Sequence, residues 1–298
     1  MVIGHQRILD FFKKSIKNNR LAHAYLFTGS AYLGKRTVAL EFIKMLIGGE
    51  LDKTVHPDVH IAEPESVISI KQIREIQHQM SLFPYQAPYK IVLIDQADKM
   101  TAQASNCFLK TLEEPTGKAI LILITSKPKS LLSTIISRCQ QVNFLSVNEK
   151  EIEKGLESMG QVRDLKRIVR LANGRPGLAV RYSENPELLK NQAKIINQLE
   201  ELLKADLNRR YQYIEKIAKD LPLAQQVLEH WLFWFRDLLL LSVGCADRAI
   251  CPVAVNYKDS YSLGKIKSII QAIRRTSWLL ANPSINAQLA LEVLVLEF

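Results

Sequence analysis

Cysteine is scarce: the chain has four, Cys107, Cys139, Cys245 and Cys251, and none stands in a Cys-x-x-Cys pair. That spacing argues against the common zinc modules and against a disulfide framework, so four ordinary thiols are expected. Long apolar runs are missing as well. The longest, 231–243, is interrupted by Arg236 and Asp237; it is too short and too charged to span a bilayer and reads as a buried helix. The N-terminus MVIGHQRILDFF lacks the basic, apolar and small-residue regions of an export signal, so a cytoplasmic protein is expected. No Lys/Arg tract, internal repeat or low-complexity segment stands out. Forty Lys plus Arg against thirty Asp plus Glu give a formal charge of +10. That invites a polyanionic partner, but the basic residues are scattered, and a merely basic surface stays open as the alternative.

What is there is an ordinary globular composition, 47% hydrophobic and 23% charged over 298 residues, enough for two or three domains. Short apolar runs at 22–27, 59–62, 90–94, 119–125 and 141–144 read as strands, three of them almost wholly apolar, as strands covered on both faces should be. Helical spacing fills the gaps: Ile8, Phe11, Phe12 and Ile16; Val38, Phe42, Met45 and Leu46; Ile73, Ile76 and Met80. Thr101 can cap a further helix through Leu112, ended by Pro115. Strands alternating with helices predict an α/β domain with a parallel sheet over residues 1–145. Beyond Phe144 the strand pattern stops. A small helical module is expected over 146–186, closing on the turn Asn173-Gly174-Arg175-Pro176-Gly177, and SENPELL at 183–189 reads as a linker. Apolar residues at helical intervals then predict an all-α bundle of four or five helices over 187–298.

The stretch GSAYLGKRT at 29–37 follows an apolar strand and opens a helix, the order a phosphate-binding loop requires. Gly29, Gly34 and Lys35 could cradle and bridge phosphates. The next position normally offers a magnesium-binding hydroxyl, and here it is Arg36, a donor-only cation. Thr37 does not replace it, because one residue turns the side chain by about 100° around a helix. A second signature, KIVLIDQADKM, ends a strand in Asp95, which could hold magnesium, and continues with Gln96 where a carboxylate would polarise water. Glutamine cannot take the proton. Phosphate binding without efficient hydrolysis is the reading; a chance glycine loop, with Asp95 and Asp98 capping a helix, is the plain alternative.

Two further stretches, Leu109 to Pro115 (LKTLEEP) and Ser137-Arg138-Cys139, follow in order. With VIGHQRILDFF, RLAHAYLFTG, the HPD at 56–58, IKQIREI, LANGRPGLA and NAQLALEVLVL, the chain resembles the clamp-loader branch of the AAA+ ATPases over essentially its whole length. The resemblance implies an AAA+ nucleotide-fold domain, a helical lid and a C-terminal helical collar that assembles a five-subunit ring. It implies gamma or tau and delta subunits as partners, the sliding clamp reached through the assembled complex, primed DNA, and no membrane. Arg138, with Ser137 and Cys139 of its motif, would be a finger acting in trans on ATP held by a neighbour. Active relatives carry an arginine in the lid where this chain has Gly177, so Arg36, Gln96 and Gly177 together imply a subunit without ATPase activity of its own, even if ATP still binds. Lys99, Asn106 and Lys110 are candidates for DNA phosphate contacts, a solvated helix face being the alternative. Many relatives insert a four-cysteine zinc module before the HPD; here IGGELDKTV joins the two directly, so no zinc is expected and His56 reads as a loop histidine. An active gamma- or tau-type ATPase and a standalone DNA-binding protein remain the competing readings.

Overall fold

The computed structural model describes residues 1–49, 56–64, 66–114, 118–245, 249, 257, 260–280, 282 and 284–298. Pro115, Cys251 and most of IGGELDKTV lie outside them. Two compact units divide the chain, Met1–Ser183 and Glu184–Phe298.

In the first unit, β1 (Ala24–Thr28), β2 (Val59–Ala62), β3 (Lys90–Ile94), β4 (Ala119–Thr125) and β5 (Gln140–Asn143) form one sheet in the order β2-β3-β4-β1-β5. Every pairing is parallel. Alternation along the strands sends Tyr25, Phe27, Ile91, Leu93, Ile120 and Ile122 to one face. Ala24, Leu26, Val92, Ile94, Leu121 and Leu123 go to the other. Helices α1 (Gln6–Lys17) and α2 (Lys35–Ile47) cover the first face, with Phe12 stacked on Phe42 at 3.9 Å between ring centroids. The second is covered by α3 (Ile70–Ser81), α4 (Ala102–Glu113) and α5 (Ser133–Arg138), through Ile73, Ile76, Phe108, Leu112 and Ile135. Two covered faces explain why β1, β3 and β4 are buried throughout.

Local chemistry sets the helix starts. Ser69 and Gln72 form a capping box on α3, and Thr101 accepts from the Ala104 N–H at the head of α4. On α1 the sequence spacing misplaces one residue: Leu9 and Phe12 are buried, whereas Phe11 is 38% exposed. Adjacent phenylalanines point about 100° apart on a helix, so only one could face the sheet.

The stretch expected as a lid contributes α6 (Glu149–Met159), α7 (Leu165–Ala172) and α8 (Pro176–Glu184). Through residue 183 it belongs to the first compact unit. The expected linker 183–189 is almost wholly helical: α8 ends at Glu184, Asn185 caps the next helix and Pro186 opens it, a favoured first-turn position.

The second unit holds α9 (Pro186–Lys204), α10 (Leu207–Ala218), α11 (Leu221–Ser242), α12 (Leu263–Leu279) and α13 (Ala287–Val295). The run 231–243 forms the second half of α11 and its cap residue Val243, and the helix buries Trp231, Trp234, Phe235 and Leu238 in the bundle core. Arg210 ties two helix ends together, donating to the carbonyls of Leu202, Leu203 and Val295, where a cation also complements the helix dipoles. No helix among the described residues is long and apolar enough to cross a membrane.

One buried carboxylate fixes the edge of the sheet at β2 and β3. Asp58 accepts from the backbone N–H groups of Tyr85, Gln86 and Ala87 at 2.7, 2.7 and 2.8 Å and from Lys90 Nζ at 2.9 Å. Burial opposes its charge, but these four donors outweigh it and hold the carboxyl well below the usual range. Asp58→Asn therefore leaves Lys90 uncompensated and costs about 3–5 kcal/mol, read by urea unfolding at pH 7. The wild-type advantage is complete above the ordinary carboxyl range near pH ~4 and shrinks as pH falls through the lower value Asp58 has in the fold. Unfolding curves of the two proteins should converge in acid.

Candidate functional site

The loop between β1 and α2 lines a cleft of about 480 Å³, with Lys35, Arg36, Asp95, Gln96, Thr125 and Gly177 around it. All five strands run the same way, so the cleft lies at their C-terminal ends, where an open parallel sheet builds its ligand sites. Gly29 has φ 138°, and a Cβ there would meet the Phe144 carbonyl at 2.6 Å. Gly34, at φ 85°, turns the chain into α2 and leaves the first-turn N–H groups without a side-chain cap. His5 pins the loop from the start of α1, its Nε2–H donating to the Leu33 carbonyl at 2.7 Å.

Lys35 is buried, and its Nζ donates to the carbonyls of Gly29 and Ser30, each at 2.6 Å. Burial pulls the ammonium down to about 8, and Asp95 and Asp98 oppose that shift. The cation therefore sits across the loop it would use to hold a phosphate. Arg36 is exposed and ion-paired with Glu63, just past β2. Thr37 is exposed beside it. Asp95 Oδ1 accepts from the Gln96 N–H at 2.8 Å, and Gln96 adopts a left-handed φ of 51°. Asp98 accepts from the Thr125 hydroxyl at 2.6 Å, which ties the end of β4 to the turn after β3. A helix N-terminus and an ammonium suit an anion. Among the described residues, Asp95 is the one carboxylate lining the cleft, and Arg36 beside it puts a guanidinium where a metal-binding hydroxyl would stand.

Three residues close this site in a way that sequence spacing does not reveal. Tyr32 holds a left-handed φ of 64°, and its carbonyl accepts from the Gly177 N–H at 2.8 Å. Its hydroxyl accepts from Arg181 Nη1 at 2.6 Å, and the guanidinium carbon lies 5.1 Å from the ring centroid. A Cβ on Gly177 would approach the Tyr32 carbonyl to 3.0 Å. The lid position read as a lost arginine is thus a backbone contact with little room for a side chain.

Arg138 lies elsewhere. It ends α5, donating to the Thr134 carbonyl at 3.0 Å and to Glu113 Oε1 at 2.6 Å, and it is only partly covered. Gln140, two residues on, pairs with Tyr25, whereas Gly29 follows Thr28 at the other end of β1. Roughly 13 Å of strand separates those positions, so Arg138 and the loop are at opposite ends of the sheet. Ser137 is exposed and bonds the Thr134 carbonyl at 3.1 Å; Cys139 is buried, its thiol pushed up to about 12 by that burial. Asn106 and Lys110 are exposed on one face of α4, while Lys99 sits half-buried in the short turn after β3. Among the described residues, no three His, Cys, Asp or Glu side chains are grouped to hold a metal.

The family model described as "DNA polymerase III, delta subunit" matches residues 4–148. The chain is 33% identical over 264 residues to DNA polymerase III subunit delta' of Bacillus subtilis, covering 82% of this chain and 80% of that one. It is 26% identical to subunit tau of the same organism, covering 80% of this chain but only 49% of tau. A gamma subunit-related protein from Thermotoga maritima shares the fold across 96% of this chain and 97% of its own, with a TM-score of 0.52 at 21% identity. The parallel sheet with its flanking helices and the all-helical C-terminal unit constitute an AAA+ fold, and the chain belongs to the DNA polymerase III delta prime subunit family of clamp-loader proteins.

Proposed function

We propose that the chain is the non-hydrolysing member of a DNA polymerase III clamp-loader ring. In this reading it lends Arg138 to an ATP site on a neighbouring tau or gamma subunit and helps load the sliding clamp on primed DNA. The observation that carries the reading is the parallel register of β1 and β5, which sets Arg138 and the phosphate loop at opposite ends of one sheet. An arginine so far from its own loop can meet a phosphate only on another molecule. Its ion pair with Glu113 is partly exposed, and such pairs contribute at most about 1 kcal/mol, so a polyphosphate can displace the carboxylate.

The passive role at the chain's own loop draws on four features. Lys35 is engaged by loop carbonyls, Arg36 by Glu63, Gln96 replaces a water-polarising carboxylate, and Gly177 packs on Tyr32. ATP is at most a bound ligand here, held by Gly29, Gly34 and Lys35 and not cut. DNA contact is assigned to Asn106 and Lys110 on the open face of α4, with Lys99 nearby in sequence; the lysines would neutralise phosphates and the Asn106 amide donate a hydrogen bond to one. Any polymerase chemistry belongs to the holoenzyme.

The isolated protein should turn over no ATP above background in a coupled phosphate-release assay. Steady turnover abolished by Lys35→Ala would overturn the passive reading in favour of a gamma- or tau-type ATPase. In a ring reconstituted with tau or gamma and delta subunits, Arg138→Ala should slow hydrolysis at the served site by about 10³-fold. Total DNA-stimulated ATPase would then fall by that site's share, and clamp loading with it. Arg138→Lys should rescue little, since an ammonium lacks the planar fork. Unchanged rates would remove the finger assignment.

A further inference from the structure

We propose that the outer face of α1 is a contact site for single-stranded nucleic acid, in which the Phe11 ring stacks on a base and Arg7, Lys14 and Lys17 meet phosphates. Residues 6–20, QRILDFFKKSIKNNR, hold five Lys or Arg against the single Asp10, which supplies +4 of the chain's +10. The cations are spaced out in sequence, and the helix brings them together. At about 100° per residue, Phe11, Arg7, Lys14 and Lys17 fall within about 120° of its circumference, and about 15 Å of axis separates Arg7 from Lys17. All four are exposed, Phe11 to 38%. The opposite face, with Leu9, Phe12 and Ser15, is buried, so these groups stand on a fixed platform.

Stability does not account for this arrangement. Lys14 and Lys17 lie in the last turn, where cations suit the negative end of the helix dipole, but Arg7 lies in the first turn, at the positive end, with no acidic residue in that turn. Among the described residues, none of the side chains of Arg7, Lys13, Lys14, Lys17 and Arg20 is ion-paired. Asp10 instead accepts from Gln6 Nε2 at 3.0 Å. The place against the sheet is taken by Phe12, and Phe11 touches that ring, with 5.3 Å between centroids, while keeping more than a third of its surface in solvent. Arg7 and Lys14, four residues before Phe11 and three after it, are its neighbours on the helix surface. An exposed ring thus stands between two unpaired cations.

Unpaired cations call for a polyanion, and the ring selects among polyanions. A lipid surface would need the apolar face of α1 to enter the interface, but that face is packed on the sheet. An acidic protein segment answers the cations; a single strand answers the ring as well, since every base carries a π-face beside its phosphate. Duplex bases are stacked on one another and must be extruded before a side chain can reach their faces. The contact is separate from the one assigned to Asn106 and Lys110, because α1 and α4 cover opposite faces of the sheet. It needs neither the nucleotide cleft nor Arg138.

The test is fluorescence anisotropy of a labelled oligo-dT, long enough at about 20 nucleotides to span the site, titrated with the full chain. Wild type should bind, with an affinity that falls as salt rises from about 50 to 200 mM. The triple variant Arg7→Gln/Lys14→Gln/Lys17→Gln should flatten the log–log salt slope by about 2, at about 0.7 per phosphate on a single strand. Phe11→Leu, which keeps an apolar cover on Phe12 without a ring, should weaken binding about tenfold and leave the salt slope unchanged, and Phe11→Trp should restore the affinity. All four side chains are exposed, so the variants should keep the wild-type melting curve. Absence of wild-type binding at the lowest salt, or an affinity that none of these variants alters, overturns the proposal. So does duplex binding equal to that of oligo-dT with no response at Phe11, which would make α1 a plain backbone contact. A loss confined to gel-filtration assembly with tau or gamma and delta subunits overturns it too, since the face would then be an interface with one of the two ring neighbours.

Discussion

A parallel sheet has two unlike ends, and that asymmetry organises the whole first unit. Every strand of the order β2-β3-β4-β1-β5 leaves the sheet on the same side. The glycine loop after β1, Asp95 after β3 and Thr125 at the end of β4 therefore gather around one cleft without being close in sequence. The segments that enter strands gather at the opposite end: Arg138 before β5, the Phe83 turn before β3. No side-chain rearrangement carries a group from one end to the other. Strand direction alone therefore sets the glycine-loop cleft and the Arg138 end apart, before any side chain is considered.

At the loop end, the substitutions reinforce one another physically. Gly177 allows the backbone of α8 to sit on the Tyr32 carbonyl, and Arg181, one turn later on the same helix, covers the Tyr32 ring and bonds its hydroxyl. A larger side chain at 177 would push that helix away and loosen the Arg181 contact. Tyr32 is held in a left-handed conformation that a bulky residue rarely adopts, and such strain persists only where neighbours enforce it. A glycine at 177 and the Tyr32 contact thus go together.

Much of this architecture was legible in the sequence because it depends on short-range pattern. Strands at 59–62, 90–94 and 119–125 stand where their apolar runs predict, and the other two shift by one or two residues at their ends. Thr101 caps its helix as its position suggests. The turn between β1 and α2 is announced by Gly29 and Gly34, whose positive φ angles only glycine accepts easily. The pairings were not legible. Glu63 with Arg36, Glu113 with Arg138, and Arg181 with Tyr32 join residues from 25 to 149 positions apart, and no local spacing encodes such distances. Asp58 shows both sides: the HPD stands out as a motif, yet its carboxylate serves a turn 27 to 29 residues later.

Exposure decides what each ion pair can do. Asp58 and Lys90 are both buried, so separating them would strand two charges in a poorly solvated interior, and that pair acts as a fixed structural tie. Arg36–Glu63 and Arg138–Glu113 are open to solvent on both partners. Water already screens them, little is lost when they part, and a polyphosphate with several charges competes well against one carboxylate. The pairs differ in what lies within reach. Arg36 is confined to the chain's own cleft, at the place where a metal-binding hydroxyl would be needed, so releasing it only adds a cation there. Arg138 projects at the end of the sheet where no phosphate loop of its own exists. At the other end of the sheet the same weak pairing leaves the Arg138 guanidinium easily parted from Glu113.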